Sequence, residues 1–186
     1  MKQEDQRIFS LTCTFSTTSP MSILHYQLQN NCTEHVFVGH LALDAAFKQY
    51  ANSAYAALSC DGNRLNLLLG ISPLPYDQEV EFAVSPLYIN LRPRELLTGQ
   101  IELPIQINEW DAYHLANTDL EGELVSVKEI LLMIDVVPQS KIAHVHAAKF
   151  PAQHWVVSGQ TTRLRCLVIP KCPIQVWKRA DNFPRH

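Results

Sequence analysis

The sequence predicts an all-β sandwich of about 9–11 mainly antiparallel strands with one or two short helical turns. Three observations predict it. Short runs alternate apolar and polar residues with a period of two. Eleven prolines punctuate the chain at close spacing. Hydrophobic residues are 47% and charged residues 18% of 186, a composition that buries a sizeable core rather than staying disordered. The chain reads as one domain, 1–186, whose tail at 178–186 frays.

The elements follow in order. Phe9, Leu11, Cys13 and Phe15 share one face of a first strand, with Ser10, Thr12 and Thr14 on the other. Leu24, Tyr26 and Leu28 alternate with His25, Gln27 and Gln29 in a second, which ends at the turn-forming pair Asn30-Asn31. His35–Leu43 is a third, rich in Val and Phe. Asp44 can cap a short helix over Asp44–Tyr50. Ser53–Cys60 and Arg64–Gly70 flank Asp61-Gly62-Asn63, where Asp-Gly supplies the positive φ angles of a tight hairpin.

Glu79–Val84 and Leu87–Leu91 alternate as strands, and Arg92–Glu95 is a turn. Thr98–Ile107 points Ile101, Leu103, Ile105 and Ile107 inward. Pro104 lacks the ladder donor there, which marks an edge or bulged strand. Glu109–Leu115 reads as a helical turn and 117–122 as an acidic loop. Val125–Val137 is the most apolar stretch, a central strand buried on both faces or a short helix; its β-branched end favours the strand, and Pro138 stops it. Lys141–Ala147, Trp155–Ser158, Thr161–Ile169 and Ile174–Trp177 complete the set.

The Tyr55–Gly70 hairpin and the Leu91-Arg92-Pro93-Arg94-Glu95 turn before a long strand resemble features of immunoglobulin-like sandwiches. The resemblance implies an immunoglobulin-like β-sandwich and nothing about activity, because the Cys…Trp…Cys core of true immunoglobulin domains is not recognisable.

A net charge of -3 gives no basic surplus for a phosphate backbone, so no nucleic acid partner is expected. No apolar run approaches the roughly 20 residues of a membrane span, and no export signal is visible, so a cytoplasmic protein without a membrane partner is expected. Five cysteines with no C-x-x-C read as reduced thiols, with Cys13 and Cys60 as small hydrophobes in strands. Asn31-Cys32-Thr33 fits a glycosylation pattern, but reads as a polar turn in that compartment.

Chemistry is concentrated in the histidines. His144-Val145-His146 places two imidazoles on one strand face, about 6.6 Å apart by strand rise. His154 meets them if 147–153 turns back, forming a ligand set for zinc or copper. The competing reading is an ordinary solvated strand face. His25, His35 and His40 read as surface. Asp111 and His114 form an acid–base pair only if that segment is helical. Trp110, Trp155 and Trp177 close the ends of the core, or rim a ligand. Arg163 and Arg165 share one strand face as a solvated or partner-facing stripe. No nucleophile elbow, phosphate loop or HExxH is present, so no catalytic residue and no cofactor beyond that metal is assigned.

Two functions fit. The first is a non-enzymatic interaction or accessory protein that binds a protein partner or itself through edge strands, Thr98–Ile107 or Ile174–Trp177. The alternative is a small-molecule enzyme or binder with a His-lined, metal-assisted site between the sheets.

Overall fold

A computed structural model describes residues 8–18, 21–43, 54–74, 79, 84–113, 123–149 and 151–178. The expected helix at Asp44–Tyr50, the interior of the expected strand at Glu79–Val84, His114 and the tail from 179 lie outside them.

The fold is all-β. The strands are β1 (Phe9–Thr18), β2 (Met21–Asn30), β3 (Val36–Leu41), β4 (Tyr55–Leu58), β5 (Arg64–Leu69), β6 (Leu87–Leu91) and β7 (Leu96–Pro104). They continue as β8 (Gln106–Asn108), β9 (Glu123–Val127), β10 (Glu129–Pro138), β11 (Ile142–Ala147), β12 (Trp155–Gly159), β13 (Thr162–Val168) and β14 (Ile174–Lys178). The count exceeds expectation because two long runs are interrupted. Thr98–Ile107 breaks after Pro104, and Ile105 there turns out to solvent at 61% exposure while Ile107 returns to the core. Val125–Val137 breaks at Lys128, whose N–H goes instead to the Asn63 carbonyl.

Among the described residues the strands form three sheets: β1-β2-β7, β8-β14-β9, and an eight-stranded sheet ordered β11-β12-β6-β3-β10-β5-β4 with β13 on β10. All pairings are antiparallel except β5 with β10 and β8 with β14. The position of Ile174–Trp177 corrects the sequence reading, since β14 lies between β8 and β9 and is not an edge. Among the described residues Leu96–Pro104 is an edge, paired with β2 alone. Glu109–Leu115 is also corrected. Over Glu109–Tyr113 there is no helix, because Trp110 exchanges both backbone hydrogen bonds with Ala56 and the Glu109 N–H goes to the Trp177 carbonyl. The 3-10 turn is at Gln139–Lys141.

The three-stranded sheet β1-β2-β7 packs on one face of the large sheet, which makes a sandwich. Leu24, Tyr26 and Leu28 share one core cluster with Leu67, Leu132 and Leu164. Tyr26 lies opposite Gly99, and a Cβ at Gly99 would overlap its ring, so glycine is what lets the phenol lie flat across β7. The Cys13 and Cys166 thiols hydrogen-bond across this interface, and burial pushes the Cys13 thiol up. The other face of the large sheet carries Phe37, Tyr88, Val137 and Val157, with Trp155 edge-on to Phe37 at 5.9 Å. The central strands are therefore covered on both faces, which is why Val125–Val137 reads as continuously apolar.

One charged residue interrupts that stretch. Asp135 is 0% exposed, at the point where β5 ends along β10 and β3 takes over. Its carboxylate accepts the Arg163 Nε–H at 2.7 Å and Nη2–H at 2.9 Å, and the Ile71 N–H at 2.8 Å. Asp135 and Arg163 are direct cross-strand neighbours in the β10–β13 register. Removing the arginine strands a buried carboxylate on one backbone N–H. In urea unfolding, Arg163→Met should cost about 3 kcal/mol. Adding Asp135→Asn to that variant should recover part of the loss, because the stranded charge is gone. An additive loss in the double variant would show that the pair is not coupled.

Candidate functional site

The period of two along four adjacent strands builds a cavity on the face of the large sheet turned away from β1-β2-β7. Tyr55 and Ala57 of β4 lie opposite Leu68 and Asn66 of β5. Leu68 and Asn66 lie beside Met133 and Leu131 of β10. Met133 lies opposite Arg165 of β13. These side chains line a cavity of about 170 Å³, closed at its rim by Ser72, Pro73, Trp110 and Asp111. The register alone brings Arg64, Arg163 and Arg165 to it.

Its walls are apolar and aromatic. The Tyr55 ring packs edge-on to Trp110 at 5.0 Å. Tyr55 is fixed at its far end, where its hydroxyl bonds the Leu43 carbonyl and accepts the Leu43 N–H. The polar groups are unevenly satisfied. Arg163 spends Nε and Nη2 on Asp135 and the Ile71 carbonyl. Arg64 donates Nε–H to the Asn66 Oδ1 at 3.1 Å, and neither Arg64 nor Arg165 forms an ion pair among the described residues. Asp111 accepts the Tyr113 N–H at 2.7 Å. Ser72 is 1% exposed, and its hydroxyl has no hydrogen-bond partner among the described residues. An unmade bond on a buried hydroxyl costs about 1–3 kcal/mol, which a ligand with an acceptor oxygen would relieve.

The histidines expected as a zinc or copper set lie on β11 and just before β12. His144 and His146 are exposed on β11, opposite Ser158 and Val156. His154 is held instead against His40, with Nε2 3.0 Å from the His40 Nδ1 and the rings stacked at 5.2 Å. The His154 Nδ1 lies 3.1 Å from the Ala152 carbonyl, so it carries the proton, and the His40 Nδ1–H donates to the bare Nε2. Among the described residues no three His, Cys, Asp or Glu side chains converge as a metal would require. His40 reaches this position because it is the extra residue of a β-bulge, between Gly39 opposite Tyr88 and Leu41 opposite Leu87. His35 bonds Asn90 and remains at the surface.

Sequence reasoning placed Arg163 and Arg165 on one face, but missed the cavity. The missing signal was the buried Asp in an apolar run, which marks where a cationic partner must pair. Cys60, expected within a strand, lies exposed in the hairpin turn after β4.

Two outcomes follow from these environments. Burial, and then the charge a protonated His154 would carry, lower the His40 pKa from 6.5 to about 4. The unfolded chain therefore binds the extra proton first as pH falls. Stability should be unaffected above about pH 6.5 and should decline by up to ~3 kcal/mol as pH drops toward 4. His40→Asn should flatten that decline in pH-dependent melts; an unchanged slope would dissociate it from His40. Alkylation with iodoacetamide should label the exposed Cys60 and Cys172 well before Cys13, as peptide mass mapping can follow.

No protein-family model matches the chain, and no curated protein and no solved structure is a match for it.

Proposed function

We propose that the protein is a non-enzymatic binding module whose ligand sits in the arginine-lined cavity formed by β4, β5, β10 and β13. One observation carries the reading: an apolar pocket onto which three guanidinium groups and a partnerless buried hydroxyl converge. Apolar concavity supplies affinity, and a few fixed polar groups supply orientation. Among the described residues Asp111 is the one carboxylate of the lining, and no base lies within hydrogen-bond reach of the Ser72 hydroxyl, which favours binding over turnover. The rigid, doubly covered sheet beneath the cavity holds these groups without loop ordering on association.

A second reading, binding of a protein partner or a second copy, is supported by β7, which among the described residues pairs on one side only and carries Leu96 at 49% exposure. Edge pairing and the cavity lie on different parts of the molecule, so one test separates them. Ala57 lines the cavity and is only partly buried, so Ala57→Phe should fill the space with little disturbance to the sheet. In ligand-observed NMR with a fragment library, fragments that bind the native protein should lose binding to Ala57→Phe. Fragments bound equally by both proteins, or by neither, would remove the cavity as the functional site and leave the edge.

A further inference from the structure

We propose that the cavity takes a small aromatic monocarboxylate, with its carboxylate on Arg165, Arg163 and Ser72 and its ring against Tyr55, Trp110 and Met133. The proposal rests on the cavity being the ligand site and adds the chemical class of the ligand.

Size sets the first limit. The volume is about 170 Å³, and an apolar cavity of roughly 150 Å³ holds one benzene ring. One ring with a compact head group fills it.

Charge sets the second. Three guanidinium groups line the site against the carboxylates of Asp111 and of Asp135 behind Arg163. Among the described residues one positive charge is left for the ligand to match. Arg163 keeps Nη1 after Nε and Nη2 are used, and its plane is fixed by Asp135 and the Ile71 carbonyl. Arg165, one alternate position along the same strand, has no ion pair among the described residues. Two guanidinium groups on one face of β13 match the two oxygens of a carboxylate, for which their fork geometry is suited.

The Ser72 hydroxyl is the independent sign. It is buried, lines the cavity and lacks an acceptor. A carboxylate oxygen supplies one, whereas a purely apolar ligand would leave the hydroxyl unpaired. The ring preference comes from the opposite wall, where Tyr55, Trp110 and the Met133 thioether all make favourable contacts with an aromatic edge or face.

Calorimetric titration of the full chain with benzoate, benzamide and cyclohexanecarboxylate tests each part. Benzoate should bind at one site, and benzamide, its neutral isostere, about tenfold or more weakly. Cyclohexanecarboxylate, which lacks the planar ring, should also bind more weakly than benzoate. Arg165→Met should erase the preference for benzoate over benzamide while the melting temperature holds, because Arg165 is exposed and bridges nothing. Equal binding of benzoate and benzamide to the native protein would overturn the carboxylate assignment, and equal binding of the two carboxylates would overturn the aromatic one. A benzoate preference that survives Arg165→Met would overturn the role of that arginine. If benzoate fails while other fragments still bind and are lost in Ala57→Phe, the ligand class is wrong and the binding module stands. If nothing depends on Ala57, both fail.

Discussion

The pairing of Asp135 with Arg163 is the constraint around which the large sheet is organised. A carboxylate at 0% exposure has to be met by charge and hydrogen bonds, or it would give up its proton balance or its place. The structure meets it with two guanidinium N–H groups and the Ile71 N–H. That requirement fixes three things together. It sets the β10–β13 register, since only one alignment puts Arg163 opposite Asp135. It pins the chain leaving β5, through Ile71. It also explains Gly70, where any Cβ would overlap the Asp135 carboxylate.

The same point is a topological joint. Strand β10 carries β13 along one side, and β5 followed by β3 along the other. Where β5 gives way to β3, Gly39 brings the β3 backbone so close to the Leu69 carbonyl that a side chain would not fit. Gly39 on β3, Gly70 just past the end of β5 and Asp135 on β10 let three backbones approach at one place. The cavity lies immediately beside this joint, so the arginine that balances the aspartate is also the one oriented toward a ligand. Orientation of Arg163 is thus a by-product of folding, and the site inherits the rigidity of the sheet.

The exposed strand edges are handled unequally. The backbone of β4 is covered, with Ala56 bridged by Trp110 and the Leu58 N–H met by the buried Glu109 carboxylate at 2.7 Å. That cover also delivers Trp110 and Asp111 to the cavity rim, so protecting an edge and shaping a site are one arrangement. Asn30 does similar work at the other end of the sandwich. Its side chain donates to the Glu34 and Arg92 carbonyls and accepts the Cys32 N–H, tying the β2–β3 turn to the β6–β7 turn.

Much of the fold was legible in the sequence, because strand periodicity is local. Alternation in Phe9–Phe15 and Leu24–Leu28, the Asp61-Gly62 hairpin and the apolar run to Val137 all depend on neighbouring residues, and all appear where expected. What pairs with what is not local. The segment Glu109–Tyr113 has a helical pattern, yet becomes extended because β4 needs its hydrogen bonds filled. Ile174–Trp177 is flanked by proline, yet becomes central because β8 and β9 both close on it. The histidines carried the visible chemical signal, and a bulge at His40 sets its ring against His154, a pairing that no local pattern announces. The arginines of the cavity sit on two strands about a hundred residues apart, and only register could bring them together. Local alternation was enough to tell which residues face inward along unbroken strands, but not at Ile105, where the break after Pro104 turns the side chain out. The tertiary structure alone decided which strands lie side by side, and with that which charges meet.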